Sequence, residues 1–186
     1  VIDGGRVTVH TDGPSVSASH VVLCTNGFET VRIDHQDGPE IDGSFRRMVQ
    51  GVVGYMGGYL AADGEPVSAV SYFRMNRDEL DPENARYTYL TRRPYDHHSS
   101  RRTLLCLGGP ERLLPDGASY DPSTPFPSDV DEEIDRAFRD TYFRAGEPDV
   151  THVFRWHGVM GYTPTKIRCV GRDPRASSLL YNLGCN

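Results

Sequence analysis

The chain has 186 residues, enough for one or two compact units with an ordinary buried core. A formal net charge of −6 and a pI near 5.6 exclude nucleic acid as the main partner, because binding phosphates needs a concentrated basic face. Mean hydropathy is −0.51, and the longest apolar-looking run, 52–62, is far shorter than the roughly 20 residues that span a bilayer, so a soluble, cytoplasmic protein with no membrane partner is expected.

In chain order, 6–10 (RVTVH) and 17–24 (SASHVVLC) read as strands joined by the turn Thr11-Asp12-Gly13-Pro14. The continuous apolar run Val21-Val22-Leu23-Cys24 suits a strand of a parallel sheet covered on both faces. It ends in Thr25-Asn26-Gly27. Residues 31–43 are acidic and turn-rich and read as a loop. Segment 45–62 (FRRMVQGVVGYMGGYLAA) reads as a long bent strand with its glycines at bulges, since each glycine inside a helix would cost about 1 kcal/mol. Further strands are predicted at 67–75, 87–92 and 103–107, with 94–102 as the polar turn of an antiparallel hairpin.

Residues 112–128 are rich in proline, serine and aspartate and read as a surface loop. A helix is predicted from Ser128 to about Arg144. Ser128 or Asp129 can cap it, the acidic first turn suits the helix dipole, and Ile134, Ala137, Phe138, Thr141 and Tyr142 form an apolar stripe. A strand follows at 150–156, then a glycine-rich turn, a strand near 167–171, a turn at Asp173-Pro174 and a last strand at 179–182. The fold class is α+β, mainly an antiparallel sheet with one clear helix.

Several motifs carry little. Cys24, Cys106, Cys169 and Cys185 are widely spaced, three of them in apolar runs, and read as buried free thiols rather than a disulfide or zinc framework. The pairs Arg46-Arg47, Arg92-Arg93 and Arg101-Arg102 have acidic neighbours and read as solvated faces. Asp96-His97-His98 resembles a metallo-phosphoesterase signature but lacks the apolar strand before it and the upstream aspartates, so no metal is expected. There is no P-loop, no G-x-S-x-G and no H-E-x-x-H.

The tail from Trp156 to Asn186, WHGVMGYTPTKIRCVGRDPRASSLLYNLGCN, is the most informative stretch. It resembles the C-terminal part of flavin-dependent oxidases of the D-amino-acid oxidase superfamily. Those carry a W-x-G-x-x-x-x-T-P-D-G-x-P-x-I-G run, then a strand and a glycine-rich loop under the flavin. The end of the 17–24 strand is similar to a turn that packs near the cofactor in that family, and 87–94 and 104–111 resemble its amine-oxidising members more loosely. Thr165 and Lys166 depart from the family's aspartate and glycine.

The resemblance implies an FAD-dependent enzyme oxidising a C–N bond of a small-molecule amine or amino acid to an imine, with O₂ or another acceptor reoxidising a non-covalently held flavin. The expected division is 1–27 as part of an FAD-binding domain, 28–157 as a substrate-binding sheet domain and 158–186 as return strands of the FAD-binding domain. A G-x-G-x-x-G fingerprint is absent, so the chain is expected to be a fragment. Implied cofactor-binding residues are Thr25, Asn26, Gly27, Gly161, Tyr162, Thr163, Gly184 and Asn186; implied substrate-binding residues are Tyr89, Arg92, Trp156 and Met160. No catalytic acid or base is assigned. Met160 stands where glycine-oxidase-type members carry an arginine for the substrate carboxylate, which implies an amine without an α-carboxylate; Arg155 or Arg92 taking over that grip is the alternative. A non-catalytic binding or structural sheet domain is the alternative to an enzyme.

Overall fold

The computed structural model describes residues 1–26, 32–36, 38–41, 49–63, 68–73, 87–115, 118–142 and 150–184. They form mostly antiparallel sheets with one helix among the described residues. The chain divides into two compact units: Val1–Val52 with Leu113–Tyr120 and Val159–Asn186, and Val53–Arg112 with Asp121–Gly158. The sequence places the borders at 27/28 and 157/158; residues 28–52 and 113–120 thus group with the chain ends.

In the first unit, β1 (Ile2–Asp3), β2 (Arg6–Val9) and β3 (Val16–Ala18) make an antiparallel sheet. Gly4 and Gly5, at φ 50° and 80°, close the β1–β2 turn, a backbone that glycine adopts at no steric cost. A second sheet has the order β10-β11-β4, with β4 at Val21–Leu23, β10 at Cys169–Asp173 and β11 at Ala176–Leu183. Here the single strand expected at 17–24 proves to be two. Residues before Ser19 pair with β2 and residues after His20 pair with β11, so the chain changes sheet at that dipeptide.

The parallel pairing of β4 with β11 agrees with the reading of its apolar run. Its coverage does not: Val22 is 54% exposed and Cys24 is exposed, so among the described residues only the Val21 and Leu23 side is covered. That side packs on Ile2, Val7, Ile41, Val49, Leu179, Tyr181 and Leu183. Each such apolar side chain contributes about 1.5–3 kcal/mol when fully buried. The loop at 31–43 is partly ordered by β1: the Ile2 N–H donates to the Asp34 carbonyl at 2.7 Å and the Gln36 N–H to the Ile2 carbonyl at 3.1 Å.

The second unit is built on a sheet of order β6-β7-β8-β5-β9. Its strands are β5 (Gln50–Ala61), β6 (Ser68–Phe73), β7 (Tyr87–His97), β8 (Ser100–Leu113) and β9 (Thr151–Tyr162); β5 and β9 run on into the first unit. The hairpin predicted at 87–107 is present, but its strands consume the segment read as a nine-residue turn. Pairing continues from Tyr89↔Gly108 to His97↔Ser100, leaving only His98 and Ser99 between them. Both have positive φ, 45° and 66°, the type I′ pattern whose twist matches a two-residue hairpin. Pro94 is tolerated because β6 pairing ends at Arg92, so one side of β7 carries no described neighbour there.

The segment 50–61 is a strand, as its glycines imply, but Gly57 and Gly58 serve packing. A Cβ on Gly58 would strike the Phe154 ring, and one on Gly57 would lie 2.7 Å from an Arg155 guanidinium nitrogen. The helix α1 (Ser128–Tyr142) buries Val130, Ile134, Ala137 and Phe138, the i, i+4, i+7, i+8 stripe of one face. It opens at Ser128, as expected, and the Asp131 N–H donates to the Pro127 carbonyl at 3.0 Å. Asp129 is paired with Arg112, and this contact, chiefly, lowers its carboxyl from the ordinary value. Among the described residues no helix is long and apolar enough to cross a membrane.

Candidate functional site

In the first unit the structure brings together two of the residues singled out, from opposite ends of the chain. Beyond the carboxyl ends of the parallel strands β4 and β11, the Gly184 N–H donates to the Asn26 side-chain oxygen at 3.3 Å. Asn26 has φ 60° and Gly184 has φ 95°, so both strands end in left-handed turns. Asparagine is among the few side chains that enter this region readily, and glycine removes the bulk of a side chain altogether. Both turns lie at the end of a parallel pair, Asn26 half-buried and Gly184 buried, at the kind of edge where open α/β sheets bind ligands. Thr25 precedes Asn26 in the same turn; Gly27 and Asn186 lie outside the described residues.

Residues 158–162, expected as a glycine-rich turn, continue β9, so Met160, Gly161 and Tyr162 are strand residues. The turn starts at Thr163. Its buried hydroxyl donates to the Ile167 carbonyl at 2.7 Å, and the Lys166 N–H donates to the Thr163 carbonyl at 3.0 Å. Lys166 takes φ 56°, the place where the family carries a glycine. Thr163 acts as the clasp of this turn, and its hydroxyl proton is committed to Ile167.

A third feature of this unit had no local signal in the sequence. Asp173, 2% exposed, receives both prongs of the Arg175 guanidinium at 3.0 and 2.9 Å, the Arg175 N–H at 2.8 Å and the Tyr181 hydroxyl. Arg175 also donates to the Glu40 carbonyl at 3.0 Å. Burial pushes the Asp173 carboxyl up, but these hydrogen bonds outweigh it and hold the group at about 2. The cluster fixes the β10–β11 turn.

In the second unit, alternation along the strands sorts the remaining candidates. Tyr89 lies opposite Gly108, on the face of Cys106 and Leu104. Phe154 packs with Leu60, Leu104 and Cys106, so Trp156, two residues on, shares that face. This is the side away from α1. Tyr89 and Trp156 are thus on one face, yet β8 and β5 separate their strands, which puts them roughly 14 Å apart. They cannot be two walls around one ammonium group. Trp156 remains 48% exposed, its ring over Gly158, where an added Cβ would lie 2.7 Å from it. Arg92, three residues from Tyr89 on an unbroken register, faces the opposite side.

Arg155 is not available to grip a substrate carboxylate. Its side chain is 12% exposed, binds Asp131, donates to Asp135 at 2.6 Å and lies 5.2 Å from the Tyr59 ring centre. Tyr59 in turn donates to Asp135 at 2.7 Å and stacks on Phe138 at 3.9 Å. Burial, then the bond to Asp135, raises the Tyr59 phenol far above its ordinary value. This knot joins β5, β9 and α1, and its partners stand too far apart in sequence for any motif to announce them. Asp96 and His97, adjacent on β7, point to opposite faces, so Asp96-His97-His98 assembles no ligand set. Cys106 is buried and its thiol is pushed up by that burial, whereas Cys24, expected inside, is exposed. Compared with protein-family models, with curated proteins and with solved structures, the chain matches none of them.

Proposed function

We propose that the chain is part of a flavin-dependent oxidoreductase that oxidises a C–N bond of an amine or amino acid to an imine. One observation carries the reading: β4 and β11, near the two ends of the chain, pair in parallel and finish in the joined left-handed turns of Asn26 and Gly184. Such an edge suits a flat group lying against backbone, and it is where the tail resembles the loop under a flavin. Thr25, Asn26 and Gly184 would hold the ring of a non-covalently bound FAD; the pyrophosphate cradle would come from residues not in this sequence. Bound there, the flavin would accept the hydride from the C–H beside nitrogen and pass the electrons to O₂ or another acceptor.

The chain's own part is positioning and exclusion of water. Met160 offers no cation to a carboxylate, and Arg155 is consumed by Asp131 and Asp135. Both features favour an amine without an α-carboxylate.

The test is a visible absorption spectrum of the full-length parent protein, purified and recorded before and after anaerobic addition of an amine panel. Flavin bands that bleach with a simple amine, and not with its α-carboxylated analogue, are expected. A protein that stays colourless with added FAD overturns the reading and leaves a binding or structural sheet domain.

A further inference from the structure

The β7–β8 hairpin segregates its charges by face. Register places Asp96 opposite Arg101, so acid and base meet on one face, and Arg101 also reaches Asp63 at 3.8 Å. The other face carries Arg93, Tyr95 and His97 on β7, with Leu104, Arg102 and Ser100 opposite them on β8. Among the described residues of the hairpin it holds no carboxylate. Among the described residues neither Arg93 nor Arg102 has an ion-pair partner.

The geometry is specific. Tyr95 lies directly opposite Arg102, and Arg93 is the diagonal neighbour of Arg102, about 7–8 Å away across the strands. Tyr95 is 43% exposed and sits beside His97, with ring centres 6.2 Å apart. Arg93 is exposed, and its register partner Leu104 is buried. Arginine and tyrosine are the side chains that most often dominate protein interfaces, because a guanidinium takes a carboxylate with two prongs and a phenol brings rigid area.

We infer that this hairpin face is a docking surface for an acidic, extended protein segment. Carboxylates at alternate positions of a strand stand about 6.6 Å apart, close to the diagonal spacing of Arg93 and Arg102, and Tyr95 lies on the same face directly opposite Arg102. Charge complementarity selects this occupant. The patch is too short for a nucleic acid, whose affinity grows with the number of phosphates neutralised. It also lacks the cluster of four or more basic residues that holds a protein to anionic lipid. Arg93 and Tyr95 are exposed and Arg102 is half-buried, an open strand surface unlike the sites that enclose small molecules.

The test uses the full chain and a fluorescent peptide of alternating glutamate and threonine, read by anisotropy at low and moderate salt. Saturable binding that weakens with salt is expected, together with loss on changing the glutamates to glutamines. Arg93→Glu and Arg102→Glu should each weaken it at least about tenfold, while Arg101→Glu, the same charge change on the other face, should leave it within about twofold. Arg93→Gln and Arg102→Gln serve where a reversal lowers the melting temperature. Absence of binding overturns the inference. So does equal weakening by Arg101→Glu, or tighter binding to a single-stranded oligonucleotide or phosphatidylserine vesicles than to the peptide.

Discussion

Gly184 and Asn26, 158 residues apart in the chain, are joined by one hydrogen bond of 3.3 Å across the ends of two parallel strands. Because Gly184 has φ 95°, any side chain there must adopt a backbone that L-residues avoid. Gly184→Ala is expected to destabilise the protein by about 1–2 kcal/mol. Asn26→Gly should cost less than Asn26→Val, since only the second keeps a β-branched residue in the left-handed region. Urea unfolding midpoints check the order; equal losses for both Asn26 variants would refute the conformational argument.

Asp173 gives a pH prediction whose sign is fixed by its partners. Its folded value of about 2 lies below the ordinary 3.8, so its contribution is fully present above about pH 4 and disappears as pH falls toward 2. The difference corresponds to about 2 kcal/mol. Asp173→Asn should lower stability at neutral pH and lose that part of the acid dependence. Parallel stability–pH curves for wild type and variant between about pH 5 and 2 would refute it.

At Gly58 the prediction concerns space. Gly58→Ala drives a methyl group into the Phe154 ring and is expected to cost about 1–3 kcal/mol. Combining it with Phe154→Leu should cost less than the sum of the single changes, because the neighbour that resists is then smaller. An additive double-mutant cycle would show that the two positions do not meet.

The hairpin tip can be improved. His98 and Ser99 hold positive φ angles that asparagine and glycine adopt more easily. The double change His98→Asn with Ser99→Gly should stabilise by about 1 kcal/mol, raising the melting temperature. An unchanged or lower value would argue against the two-residue turn.

Thiol chemistry separates two cysteines read alike in the sequence. Cys24 is exposed and Cys106 is buried with a raised thiol. A disulfide reagent at neutral pH should modify Cys24 in the native protein and Cys106 only after unfolding. Mass spectrometry of labelled peptides decides.

Much of the chain was legible locally. The period of Ile134, Ala137, Phe138, Thr141 and Tyr142 announced the helix, the glycines of 50–61 argued for a strand, and alternation in 87–92 marked β7, because these signals act between neighbours a few residues apart. Asn26 and Gly184 were legible as turn residues, though not as partners. What only the tertiary structure decided was long-range: the change of sheet at Ser19-His20, the exposure of Cys24, the bond from Arg175 to the Glu40 carbonyl, and the capture of Arg155 by Asp131 and Asp135. A residue's type sets which bonds it can form. Which bond it does form depends on what another strand or helix places beside it, and one shift of register exchanges every partner on a face.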